Sequence, residues 1–84
     1  MGKARHKPER LAAKLLAIRQ GMNLSQSELI ARLKCDLTAA RISEYENGAR
    51  IPSLQTLLAY AKVARVRVEV LIDDNLSLPE LRTK

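Results

Sequence analysis

Phenylalanine and tryptophan are absent from this chain; tyrosine occurs twice, cysteine once, and glycine and proline three times each. Without large aromatics the core must be aliphatic, which favours packed helices over a β-sandwich. A single cysteine, Cys35, excludes an internal disulfide. One cysteine and one histidine, His6, cannot assemble a zinc cluster, and Gly2, Gly21 and Gly48 form no phosphate-cradling loop. No leader pattern and no apolar run of bilayer-spanning length is seen, so a cytoplasmic protein, bacterial or phage-encoded, is expected.

What the chain does carry is positive charge. It has 84 residues, a formal net charge of +6 and a sequence pI near 10.0. One small domain of this size can just sustain a hydrophobic core without covalent staples. The charge suits a polyanion, either nucleic acid or an acidic membrane surface. It is uneven: Lys3, Arg5, Lys7 and Arg10 against Glu9 leave +3 on the first ten residues, whereas Asp73 to Lys84 sums to −1. The amino end is therefore the expected arm towards an anion.

Local patterns predict a succession of short helices. Residues 1–7 read as a flexible basic arm, and Pro8 suits a first helical turn, where no amide donor is needed. A first helix is expected from about residue 8 to 20, with Leu11, Leu15 and Ile18 on one stripe and Gly21 as its stop. Ser25, three residues before Glu28, forms a capping box that opens a second helix burying Leu29 and Leu33. Thr38 can cap a third helix that ends at Asn47-Gly48. Ser53 caps a fourth, with Leu54, Leu57, Leu58 and Ala61 expected on its inner side. The run VARVRVEVLIDD fits either a strand, through alternating valines, or a short helix; helix is preferred.

The third helix, within LTAARISEYENG, has an unusual surface. At about 100° per residue, Ile42 and Tyr45 share an inner face with Glu46 beside them. Ala40, Ser43, Glu44 and Asn47 fall on the opposite side, with Ala39 and Arg41 on the flanks. That outer face is small and polar, and another surface could come close to it.

The runs LLAIRQGMNLSQSELIARL and LTAARISEYENGARIPSLQTLLAYAKV resemble the helix-turn-helix family of lambda repressor, Cro and the xenobiotic-response-element regulators. The likeness spans roughly Leu15 to Asp73, with LSQSEL opening the first motif helix and ISEYENGARIP closing the second. It implies an all-α, compact bundle of about five short helices over residues 8–73, followed by a short tail over residues 74–84. It also implies sequence-specific binding of double-stranded DNA, with helix 38–46 in the major groove, by a transcriptional regulator that is expected to be a dimeric repressor on an inverted repeat.

Residue by residue, the resemblance implies base-edge contacts for Ala39, Ala40 and Glu44. Alanine methyls can pack on a thymine methyl, and a carboxylate can accept from cytosine N4. Gln26, Arg41, Ser43, Asn47 and Arg50 become candidates for the DNA backbone, with Gln26 also steadying the recognition helix. Arg19 and Glu46 match a basic and an acidic position that pair across the motif. Two features depart from the family pattern. The stretch between Leu29 and Thr38 is two residues longer than the commonest spacing, and the usual turn glycine is replaced within KCDL.

Plainer readings stand beside these. The arm residues Lys3, Arg5 and Lys7 could be solubilising only, Cys35 a small buried hydrophobe, Asp73-Asp74 a solvated helix end, and Arg41 and Glu44 a solvated face. No histidine is placed to make Ser25 or Ser43 a nucleophile, so no enzyme is expected. No cofactor, metal, small-molecule ligand or membrane is expected as a partner. Dimer contacts are sought among Val68, Val70, Ile72, Leu76 and Leu78. Two alternatives remain: a protein-binding antitoxin with secondary DNA binding, and nonspecific nucleic-acid packaging.

Overall fold

A computed structural model describes residues 8–79. Five helices follow one another: α1 (Leu11–Gly21), α2 (Gln26–Leu33), α3 (Ala39–Glu46), α4 (Leu54–Ala64) and α5 (Val68–Ile72). The architecture is all-α, and among the described residues there is no strand. In the valine-rich run, a turn after α4 leads into α5, so its Val68–Ile72 part is helical. A two-residue alternation has no neighbouring strand to pair with here, whereas Leu71 on a helix reaches full burial against the core.

Helix starts follow local chemistry. Ser25 Oγ accepts from Glu28 N at 3.0 Å while Glu28 Oε1 accepts from Ser25 N at 2.8 Å, closing the capping box. Thr38 Oγ1 accepts from Arg41 N at 3.2 Å, and Ser53 Oγ from Thr56 N at 3.2 Å. Helix ends use the left-handed region: Lys34 has φ 56°, Arg65 φ 60° and Gly48 φ 83°. Lys34 fills the role that the absent turn glycine would have had, its amide bonded back to Ile30 O at 3.1 Å.

The core is one aliphatic cluster with two tyrosines. Leu15, Ile18, Leu29, Ile42, Tyr60 and Leu71 are the largest fully buried side chains, drawn from all five helices. Cys35 and Leu37, in the turn between α2 and α3, pack against this cluster as partly buried residues. Burial raises the Tyr60 phenol well above its ordinary pKa of 10.0. Its hydroxyl has no hydrogen-bond partner among the described residues.

Several expectations need correction. α1 begins at Leu11, not near Pro8, and the two residues before it, Glu9 and Arg10, are held by a side chain from far along the chain. Asp74 accepts from Glu9 N and Arg10 N, each at 3.0 Å. Asp74 thus anchors the residues that lead into α1 rather than being a merely solvated helix end. Gly21 is the last residue of α1, and the left-handed residue that turns the chain is Asn23, φ 61°.

On α4, Leu57 and Ala61 are buried, but Leu54 is 81% exposed and Leu58 47%. The helix presents apolar residues over more than one stripe, and its packing against α2 and α5 selects the stripe with Leu57, Tyr60, Ala61 and Ala64. Val68 and Leu78, two candidates for a dimer contact, pack against the chain's own core.

The carboxyl-terminal stretch is fastened to α1. Arg10 donates to Asp74 O at 2.7 Å, Leu76 O at 3.3 Å and Ser77 Oγ at 3.3 Å. Lys14, buried although charged, donates through Nζ to Val70 O at 2.7 Å and Asp73 O at 2.9 Å. A cation there satisfies the open carbonyls at the end of α5 and sits at the negative pole of that helix.

Candidate nucleic-acid interface

The candidate face is built by α2, the turn after it, and α3. Ile42 and Tyr45 anchor the inner side of α3 in the core. This rotational setting leaves Ala39, Ala40, Ser43 and Asn47 exposed, with Arg41 and Glu44 half-buried on the same outward side. Two adjacent residues without side-chain bulk open the amino-terminal half of the helix. The polar residues fill its carboxyl-terminal half.

Intramolecular bonds hold those polar residues. Gln26, the first residue of α2, donates from Nε2 to Ser43 Oγ at 2.9 Å and so ties the two motif helices together. Glu44 Oε1 lies 3.0 Å from Arg41 Nε and 3.1 Å from Arg50 Nε. Arg50 returns to this position because the turn after α3 folds back: Ala49 N and Arg50 N both donate to Glu44 O, at 2.9 and 3.3 Å. Asn47 Oδ1 accepts from Ala49 N at 2.9 Å, which fixes the same turn from its own side chain.

Behind the face, Arg19 and Glu46 form a bidentate pair between α1 and the last residue of α3. Arg19 Nε donates to Glu46 Oε2 at 2.7 Å and Nη2 to Oε1 at 3.0 Å; Nη1 donates to Leu24 O at 3.2 Å. The bond to Glu46 holds the Arg19 pKa above its already high ordinary value, against the opposing effect of burial. The pair faces inward and sets where α3 lies.

Ala39, Ala40, Ser43, Glu44, Gln26, Arg41, Asn47 and Arg50 therefore share one region. Lys3, Arg5, Lys7 and His6 lie outside the described residues. The Arg41–Glu44 spacing, three apart on a helix, was visible in the sequence. The return of Arg50 onto the same carboxylate and the Gln26–Ser43 bond were not, since both depend on how the turns close.

A groove of about 520 Å³ opens at the carboxyl end of α3, lined among others by Pro8, Glu9, Tyr45, Arg50 and Ile51. Among the described residues, no group of histidines, cysteines and carboxylates could hold a metal ion, and no helix is long and apolar enough to cross a membrane.

A helix-turn-helix family model matches residues 15–71, about two thirds of the chain. Among the curated proteins and the solved structures, none matches. The chain belongs to the helix-turn-helix family of the lambda Cro and xenobiotic-response-element type, and its fold is the lambda repressor-like helical fold of that DNA-binding domain.

Proposed function

We propose that this protein is a sequence-specific double-stranded DNA-binding transcriptional regulator, acting as a repressor, which inserts α3 into the major groove. The observation that carries the reading is the outward face of α3: Ala39 and Ala40 stand bare, while Ser43, Glu44 and Asn47 are already ordered by bonds within the chain. A face ordered before binding has less side-chain entropy to lose when it meets a base edge.

In this reading Ala39 and Ala40 pack on thymine methyls and Glu44 accepts from an amino group on a base edge. Gln26, Arg41, Ser43, Asn47 and Arg50 position the helix against phosphates. Lys3, Arg5 and Lys7 add phosphate contacts from the arm, and the Arg19–Glu46 pair orients α3. The bound form is a homodimer on an inverted repeat with half-sites about one helical turn apart. Exposed Ile51, Leu54, Leu58 and Ile72 leave apolar surface for the pairing. The protein works in the cytoplasm, with no cofactor and no catalysis. The antitoxin reading has less to support it, because the stretch from Asp74 to Ser77 is bonded to the chain's own Arg10.

The test is selection from random duplexes at near-physiological salt, since affinity without stated salt has little meaning. The expected product is an enriched inverted repeat that binds two chains per duplex in sedimentation. Binding with no enriched sequence would overturn the reading, and one chain per selected duplex would overturn the dimer.

A further inference from the structure

On the outward face of α3 one carboxylate and two guanidiniums, that of Arg50 returning from the turn beyond the helix, meet at one atom. Oε1 of Glu44 receives Nε of Arg41 at 3.0 Å and Nε of Arg50 at 3.1 Å. The second oxygen, Oε2, accepts no hydrogen bond among the described residues, and the Nη groups of either guanidinium donate none there. The Glu44 side chain is 41% exposed, and Ala39, Ala40, Ser43 and Asn47 around it are neutral. Three charges therefore act as one local unit with a net charge of +1.

We propose that Glu44 makes the grip of Arg41 and Arg50 on DNA phosphates conditional on the base pair beneath it. This rests on the reading of α3 as a major-groove helix. In the groove the carboxylate needs a positive or donating partner, because phosphates surround it.

Over cytosine N4 or adenine N6 an amino donor occupies Oε2. The base then shares the carboxylate's charge, and both guanidiniums can turn their Nη edges to phosphates. Over guanine or thymine, Oε2 meets an acceptor, O6 and N7 or O4. Relief then comes only from holding both arginines on Glu44, which withdraws their charge from the backbone. The base is thus read twice, by its own hydrogen bond and by the phosphate contacts it permits.

This coupling has a signature that an isolated base contact lacks. The slope of log K against log salt reports how many phosphates are neutralised, about 0.9 per contact on duplex DNA. The experiment measures that slope by fluorescence anisotropy between 50 and 200 mM salt. The duplexes are the selected one and its copy with the base pair under Glu44 inverted, so that the base facing Oε2 presents an acceptor in place of an amino donor.

For the natural protein, the slope on the selected duplex should be steeper by about 1 to 2 units for each chain bound. Over this fourfold salt range, that weakens the selected complex about 4- to 16-fold more per chain than the exchanged one. Glu44→Gln, which removes the charge while keeping the shape, should give equal slopes on the two duplexes. Arg50→Gln should remove about half of the difference, and it changes a residue that is exposed in any case.

Equal slopes for the natural protein on two duplexes of different affinity would overturn the coupling while leaving the DNA-binding reading intact. Equal affinities as well as equal slopes would overturn base reading at Glu44. A slope difference that persists in Glu44→Gln would assign the effect to another residue and overturn the proposal.

Discussion

The Arg19–Glu46 pair offers the sharpest test of how α3 is held. The two side chains are 18% and 7% exposed, and they share two parallel N–H···O bonds of 2.7 and 3.0 Å. Removing one partner leaves the other charge in a poorly hydrated place, at a cost of about 3–5 kcal/mol for buried pairs. Arg19 keeps its bond to Leu24 O and some water, so Glu46→Leu should fall near the low end, about 3 kcal/mol. Arg19→Met strands the more buried carboxylate and should cost more.

At roughly 0.05–0.15 kcal/mol per residue, a chain of this length holds about 4–13 kcal/mol in all. Either single change therefore removes a large share. The double variant Arg19→Met/Glu46→Leu restores a matched apolar pair and should recover at least about 2 kcal/mol of the summed losses. Urea unfolding followed by far-UV circular dichroism measures all four proteins. With a slope near 1 kcal/mol per molar urea, the single variants should shift the midpoint by about 3 M. Single losses below about 1 kcal/mol, or a double variant equal to the sum of the singles, would refute the account of this pair as the inward anchor of α3.

Two other predictions concern the supports around that helix. Lys14→Met leaves Val70 O and Asp73 O without their donor and should cost about 2–3 kcal/mol at pH 7 in the same assay. Burial, with Arg10 adding to it, lowers the Lys14 pKa from its usual 10.5, so the unfolded chain binds this proton more tightly. The stability advantage of the natural protein over Lys14→Met should therefore grow as pH rises towards 10.5, and an advantage that shrank over that range would contradict the sign. Gly48→Ala should cost about 1–2 kcal/mol from backbone strain alone at φ 83°, because the added Cβ would meet Ala12 Cβ at an ordinary 3.8 Å. A thermal melt lowered by less than about 3 °C would show that the turn relaxes instead.

Much of the fold was legible because the information is local. A serine or threonine reaches the amide three residues on whatever the rest of the chain does, so Ser25, Thr38 and Ser53 marked three helix starts correctly. The 3.6-residue period likewise put Leu11, Leu15 and Ile18 on one buried stripe, and Ile42 with Tyr45 on another. The family resemblance rested on the same short-range signals, and so did the outward position of Ala40, Ser43 and Asn47. The Arg41–Glu44 contact was within reach too, since residues three apart on a helix are neighbours.

Other features were settled by packing and by contacts between distant residues. Periodicity shows that α4 has apolar stripes but not which one its neighbours cover, and Leu54 and Leu58 were left outside. A lysine at position 14 reads as surface until the end of α5 arrives with two open carbonyls for its amine. Asp74 reads as a solvated acid until the start of α1, 64 residues away, turns its amides towards it. Composition and local geometry by themselves determined four short helices with one small, polar outward face, and left a fifth segment open between helix and strand. Only the tertiary structure decided which charges meet there, because charges attract over any sequence separation that the fold happens to close.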